Sequence, residues 1–135
     1  MTDSEGAAFR FGFDSAIFMD QIAHGAAMPI LASRVRNGAT SAGFGGCRFI
    51  DLVVMPVGGE IGTHTHGPDD EEIYVIVDGL GLVTVDGEST NVGAGDVIVN
   101  RPGGTHGLVN VGTSALRLVV VDVIADATPT DPSDR

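Results

Sequence analysis

Residues 62–79 read Gly-Thr-His-Thr-His-Gly-Pro-Asp-Asp-Glu-Glu-Ile-Tyr-Val-Ile-Val-Asp-Gly. His64 and His66 stand one residue apart, and side chains that alternate across a β-strand place such a pair on one face of a sheet. Both imidazoles can then reach one ion. Glu71 and Glu72 follow shortly, and His106 lies farther along the chain. Three imidazoles and a carboxylate make a mixed nitrogen and oxygen donor set suited to first-row metals such as iron, manganese, nickel or zinc.

The pattern on either side of this stretch is that of an all-β chain. There are 20 glycines and no tryptophan among 135 residues, and short Val- and Ile-rich runs alternate with turn signals. Strands are expected near residues 31–36, 48–55, 62–66, 72–77, 81–85, 96–100, 106–111 and 116–124. Asp86-Gly87 carries the dipeptide of a tight hairpin, and Asp78-Gly79 is a second candidate. Phe9, Phe11 and Phe13 alternate as in a strand, while residues 14–27 are compatible with a short capped helix.

A chain of this length forms one domain, and 43% hydrophobic residues suffice for one core. Residues 1–50 are expected to complete the barrel or a dimer interface, residues 51–124 to form the core of the domain, and residues 125–135, rich in Ala, Asp, Thr and Pro, to be a disordered tail. The net charge of −11 disfavours nucleic acid and anionic membranes as partners, which leaves a small molecule or a protein. The lone Cys47 cannot form an internal disulfide. The start lacks the basic and apolar regions of a secretion signal, so a cytoplasmic setting is expected. No apolar run approaches the roughly 20 residues needed to span a bilayer.

From Gly58 the chain places five residues before His64 and then His66. Six residues separate Glu72 from Gly79, and Glu72-Ile73-Tyr74 follows the same local pattern. Farther on come Gly95, Pro102-Gly103-Gly104-Thr105-His106 and Asn110. These two blocks resemble the two signatures of the cupin superfamily, and the likeness covers roughly residues 53–121. It implies a small double-sheet jelly-roll barrel, a double-stranded β-helix. It also implies a divalent metal held by His64, His66, His106 and one glutamate, and a homodimer.

The gap after His66 suits Glu71, whereas the count back from Gly79 suits Glu72. Strand register is stricter than loop length, so Glu72 is the expected ligand and Glu71 should point outward. Arg101 stands where the family pattern has proline. It is either a solvated surface residue or a partner for a substrate carboxylate or phosphate. Tyr74, two residues beyond Glu72 on the same face, is either a catalytic acid or base or a barrel-wall aromatic. Asn110 shares the face of His106 and is either a strand-end polar residue or a group near the substrate. His24 belongs to no motif.

The expected function is that of a metal-dependent enzyme acting on a small polar metabolite, by oxygenase chemistry or by isomerase, cyclase or lyase chemistry. The alternative is a non-enzymic metal-containing module that binds a small molecule.

Overall fold

The computed structural model describes residues 10–38 and 46–125. Among the described residues ten strands run in chain order as β1 (Met19–Gln21), β2 (Ile30–Asn37), β3 (Cys47–Met55), β4 (Glu60–Thr65), β5 (Asp70–Asp78), β6 (Leu80–Val85), β7 (Glu88–Gly93), β8 (Val97–Asn100), β9 (Thr105–Asn110) and β10 (Leu116–Ile124). They form two antiparallel sheets, one ordered β1-β2-β3-β10-β5-β8 and the other β4-β9-β6-β7. This is the all-β jelly-roll barrel expected from the sequence. Among the described residues no helix is long and apolar enough to cross a membrane.

Alternation along the strands builds the interior in rows. Ladder register aligns Ile76, Leu118, Val53 and Ala32 across the six-stranded sheet, and Tyr74, Val120, Asp51 and Arg34 in the next row. One row further lie Asn100, Glu72, Asp122 and Phe49. The barrel therefore grades from apolar to polar along its length. Met55, Ile76, Leu108, Leu116 and Leu118 fill the apolar end and are almost wholly shielded from solvent. Each such side chain contributes about 1.5–3 kcal/mol through burial. The metal-ligand candidates occupy the opposite, polar end.

The eight expected strands are present with small shifts at their ends, and two more appear. β7 escaped notice because Glu88 to Asn91 are all exposed and only Val92 is buried, so its apolar signal is one residue long. The turn before it matches expectation: Asp86 and Gly87 have φ of 49° and 85°, and Val85 pairs with Glu88. Two positive φ values in a two-residue loop are the geometry that such hairpins require.

Asp78-Gly79, by contrast, makes no hairpin. It carries the chain from the six-stranded sheet to the four-stranded one, since β5 and β6 belong to different sheets. Gly79 has φ 94°, and a Cβ there would lie 2.8 Å from the Ala115 carbonyl oxygen and from the Leu116 Cα.

The helix considered over residues 14–27 is replaced by a turn and the short strand β1, which pairs with β2 from Met19 to Gln21. Three residues of sheet pairing and the burial of Ala23 and Ala26 outweigh a weak helical pattern. Phe11 and Phe13 lie outside any strand, and Phe13 stacks on Phe18 with ring centroids 6.1 Å apart. Phe9, Phe44 and the tail beyond Ala125 fall outside the described residues.

Candidate metal centre

β4 and β9 run side by side with His64 opposite His106 and Thr65 opposite Thr105. A register shift between Ile61 and His64 adjusts β4 just before the first histidine. His66 follows one residue after β4 ends, and its backbone N–H donates to the Gly104 carbonyl at 3.1 Å, which keeps its side chain turned inward. Glu72 comes from β5 in the other sheet and is 7% exposed, whereas Glu71 points to the outer side, opposite Val123. One ligand atom from each of His64, His66, Glu72 and His106 lies within 4.8 Å of the others.

Two hydrogen bonds decide which imidazole nitrogens face the centre. His64 Nδ1 lies 2.7 Å from the Gly62 carbonyl, which can only accept, so Nδ1 carries the proton. His66 Nδ1 lies 2.5 Å from Asp70 Oδ2. Burial pushes the Asp70 carboxyl up, but its hydrogen bonds with Asp122 and His66 outweigh that and hold it below the ordinary aspartate range. Asp70 is thus an acceptor, and His66 Nδ1 also carries the proton. In the neutral rings both Nε2 atoms are then lone pairs, and they face each other at 2.9 Å.

The remaining contacts complete a convergent set. His106 Nε2 lies 3.2 Å from Glu72 Oε1, and His66 Nε2 lies 3.6 Å from the same oxygen. Burial raises the Glu72 carboxyl, but the hydrogen bond from His106 and the neighbouring His66 more than compensate, so it falls below the usual glutamate value. Burial is the largest influence on His64 and lowers its pKa. A carboxylate and uncharged imidazoles are the forms that coordinate a metal. Asp70 behind His66 supplies the carboxylate–histidine support common around metal sites.

A cavity of about 340 Å³ adjoins the cluster and is lined in part by His24, Arg34, Asp51, His66, Glu72 and Tyr74. Arg34 forks onto Asp51 through Nε at 2.9 Å and Nη2 at 3.0 Å, and its guanidinium lies 3.9 Å from the Phe49 ring centroid. Tyr74 is fully buried, and its hydroxyl has no hydrogen-bond partner of good geometry although the Glu72 carboxylate is its neighbour. Burial, followed by the charge of Glu72, raises the Tyr74 pKa well above its ordinary value, so the phenol stays protonated.

The other two expected site residues lie elsewhere. Arg101 is exposed and does not line the cavity. Asn110 is a loop clamp: its amide nitrogen donates to the carbonyls of Met55, Pro56 and Ser114, and its side-chain oxygen accepts from Gly112 N–H. Sequence reading missed Asp70, His24 and the Arg34–Asp51 pair. Asp70 had a local signal, an acid four residues after His66, whereas the others are brought in by distant strands.

The Cupin domain family matches residues 51–122. An uncharacterised protein of Methanocaldococcus jannaschii is 38% identical over 66 residues, which are 49% of this chain and 52% of that one. The matched region thus spans about half the length of this curated relative. A predicted oxalate decarboxylase from Thermotoga maritima superposes with a TM-score of 0.79 at 21% identity, covering 86% of this chain and 99% of its own. The Schizosaccharomyces pombe Cnp3 cupin domain gives 0.69 at 16% identity over 85% and 73% of the two chains. A Cupin 2 conserved barrel protein from Salinispora arenicola gives 0.59 at 24% identity over 73% and 78%. At these identities the structural likeness is one of fold.

Proposed function

The chain belongs to the cupin domain family, and from that premise we propose that it is a metal-dependent enzyme acting on a small polar metabolite. One divalent ion, iron, manganese, nickel or zinc, is held by His64, His66, Glu72 and His106. The observation that carries this reading is the 2.9 Å approach of two Nε2 atoms whose Nδ1 protons are already committed to Gly62 and Asp70. With both rings neutral, two lone pairs turned on each other repel, and a cation bound by both removes the conflict.

A metal in such a site supplies Lewis acidity to a bound oxygen and, when redox-active, an electron. The chain's own residues provide the rest. Tyr74 offers a protonated hydroxyl, without a partner of good geometry, on the cavity wall, placed to hydrogen-bond a substrate oxygen. The apolar side chains of Ile30, Ile61 and Val53 line the same cavity. A cavity open beside the ligand set favours turnover over a closed structural site.

The same proposal includes a cytoplasmic homodimer. The N-terminal segment supports the dimer, because Ile17 and Met19 are 83% and 72% exposed on and beside the edge strand β1. Light scattering of the purified chain at dimer mass is the expected result.

The test of function is elemental analysis of the purified and metal-reloaded protein beside His64→Ala, followed by oxygen uptake and product analysis across a metabolite panel. One metal per chain in the wild type, its loss in the variant, and turnover of a panel compound are expected. No metal under any loading condition overturns the proposal, and stoichiometric metal with no turnover assigns the chain to the non-enzymic binding class instead.

A further inference from the structure

His24 lies outside every motif of the sequence, yet its ring stacks on that of His64 with centroids 3.5 Å apart and planes 7° from parallel. The backbone that carries it is held there deliberately. Gly62 N–H donates to the Ala23 carbonyl at 2.9 Å, and a Cβ at position 62 would collide with the His24 carbonyl oxygen. His24 has φ 54° and Gly25 φ 76°, so the turn places two successive residues in the left-handed region. For a residue other than glycine, that conformation persists where surrounding structure enforces it, and such residues gather at functional sites.

We propose that His24 is a positioning residue of the metal centre, acting through His64. The Nδ1–H bond to Gly62 fixes one edge of the His64 ring but leaves the ring free to tilt about that bond. A parallel ring against its face removes the tilt and keeps Nε2 directed at His66, His106 and Glu72. His24 itself stays out of the ligand set, whose atoms converge without it. His24 also lines the cavity that adjoins the four ligands, so it forms part of the wall there. The proposal rests on the metal-binding reading of the four ligands.

The test compares wild type with His24→Ala, His24→Phe and Gly62→Ala, using Co²⁺ as the probe. Chelator competition gives the dissociation constant, the visible absorption of bound Co²⁺ reports ligand geometry, and denaturant melts of the metal-free proteins report folding. His24→Ala should bind Co²⁺ about tenfold or more weakly, the scale seen when outer support of a ligand is removed, with an altered spectrum. His24→Phe, which keeps a flat ring but no nitrogen, should restore affinity and spectrum. Gly62→Ala, which forces the turn away, should resemble His24→Ala.

Wild-type affinity and spectrum in His24→Ala overturn the proposal. So does a His24→Phe protein as weak as His24→Ala, since a nitrogen and not the stack would then matter. If wild type binds no Co²⁺, the metal reading itself falls, a result distinct from both.

Discussion

His64 and His106, 42 positions apart in the chain, are direct cross-strand partners on β4 and β9, with ring centroids 4.4 Å apart and planes at 68°. Their meeting depends on ladder register alone. A slip of one residue in either strand would turn one imidazole to the outer surface. The same logic separates Glu72, opposite Asp122 on the inner face, from Glu71, opposite Val123 on the outer one.

Replacing His64 or His106 by Ala, or Glu72 by Gln, should weaken divalent-metal binding by more than the roughly 10- to 100-fold typical of outer-sphere changes. Glu71→Gln should bind as wild type. Equal losses for Glu71 and Glu72, measured by chelator competition, would sink the register assignment.

Asp70→Ala should weaken metal binding by roughly 10- to 100-fold without abolishing it, because His66 keeps its nitrogen but loses the acceptor that fixes its tautomer and orientation. Titration with Co²⁺ checks this. An unchanged constant would show that Asp70 does not support His66.

Acidification should release the metal, since each imidazole must give up its proton to coordinate. His64 adds a matching effect in the metal-free protein. Its folded pKa is below the unfolded value of 6.5, so the unfolded chain takes the proton first. Stability is intact above 6.5 and falls as pH drops towards the lower folded value. Metal content and denaturant midpoints measured against pH test both statements, and metal retained undiminished in mild acid would contradict imidazole ligation.

Asp122 should behave in the opposite sense. Burial, and next the hydrogen bond and charge of Asp70, raise its pKa from 3.8 to about 8. The stability it contributes is complete below 3.8 and is lost as pH rises through about 8, where two carboxylates face each other ionised. Asp122→Asn should therefore gain stability over wild type as pH rises, most above that value. A gain of about 1 kcal/mol would raise the melting temperature by roughly 3–5 °C. Parallel curves for the two proteins across pH would refute the assignment.

Gly79→Ala should destabilise the fold by about 1–3 kcal/mol, because φ 94° is strained for an L side chain and the new Cβ meets backbone at 2.8 Å. Gly87→Ala strains φ alone, with nothing within 4 Å of the new Cβ, and should cost less. Denaturant melts compare the two.

Much of this was legible in the chain. Val and Ile runs punctuated by glycine marked eight of the ten strands among the described residues, and the likeness of two motif blocks to the cupin signatures implied His64, His66, Glu72 and His106 as a set. β7 was missed because its outer residues are polar and only Val92 packs. Residues 14–27 misled because a three-residue edge strand carries almost no periodic signal, and Asp78-Gly79 because a sheet crossover uses the same left-handed glycine as a hairpin.

Alternation with period two is a local property, so the sequence by itself determined which side chains along a strand share a face. Which strands become neighbours is settled by burial summed over the whole barrel. Only the tertiary structure could therefore place Asp122 beside Glu72, make Asn110 a loop clamp, leave Arg101 outside the cavity and lay His24 against His64.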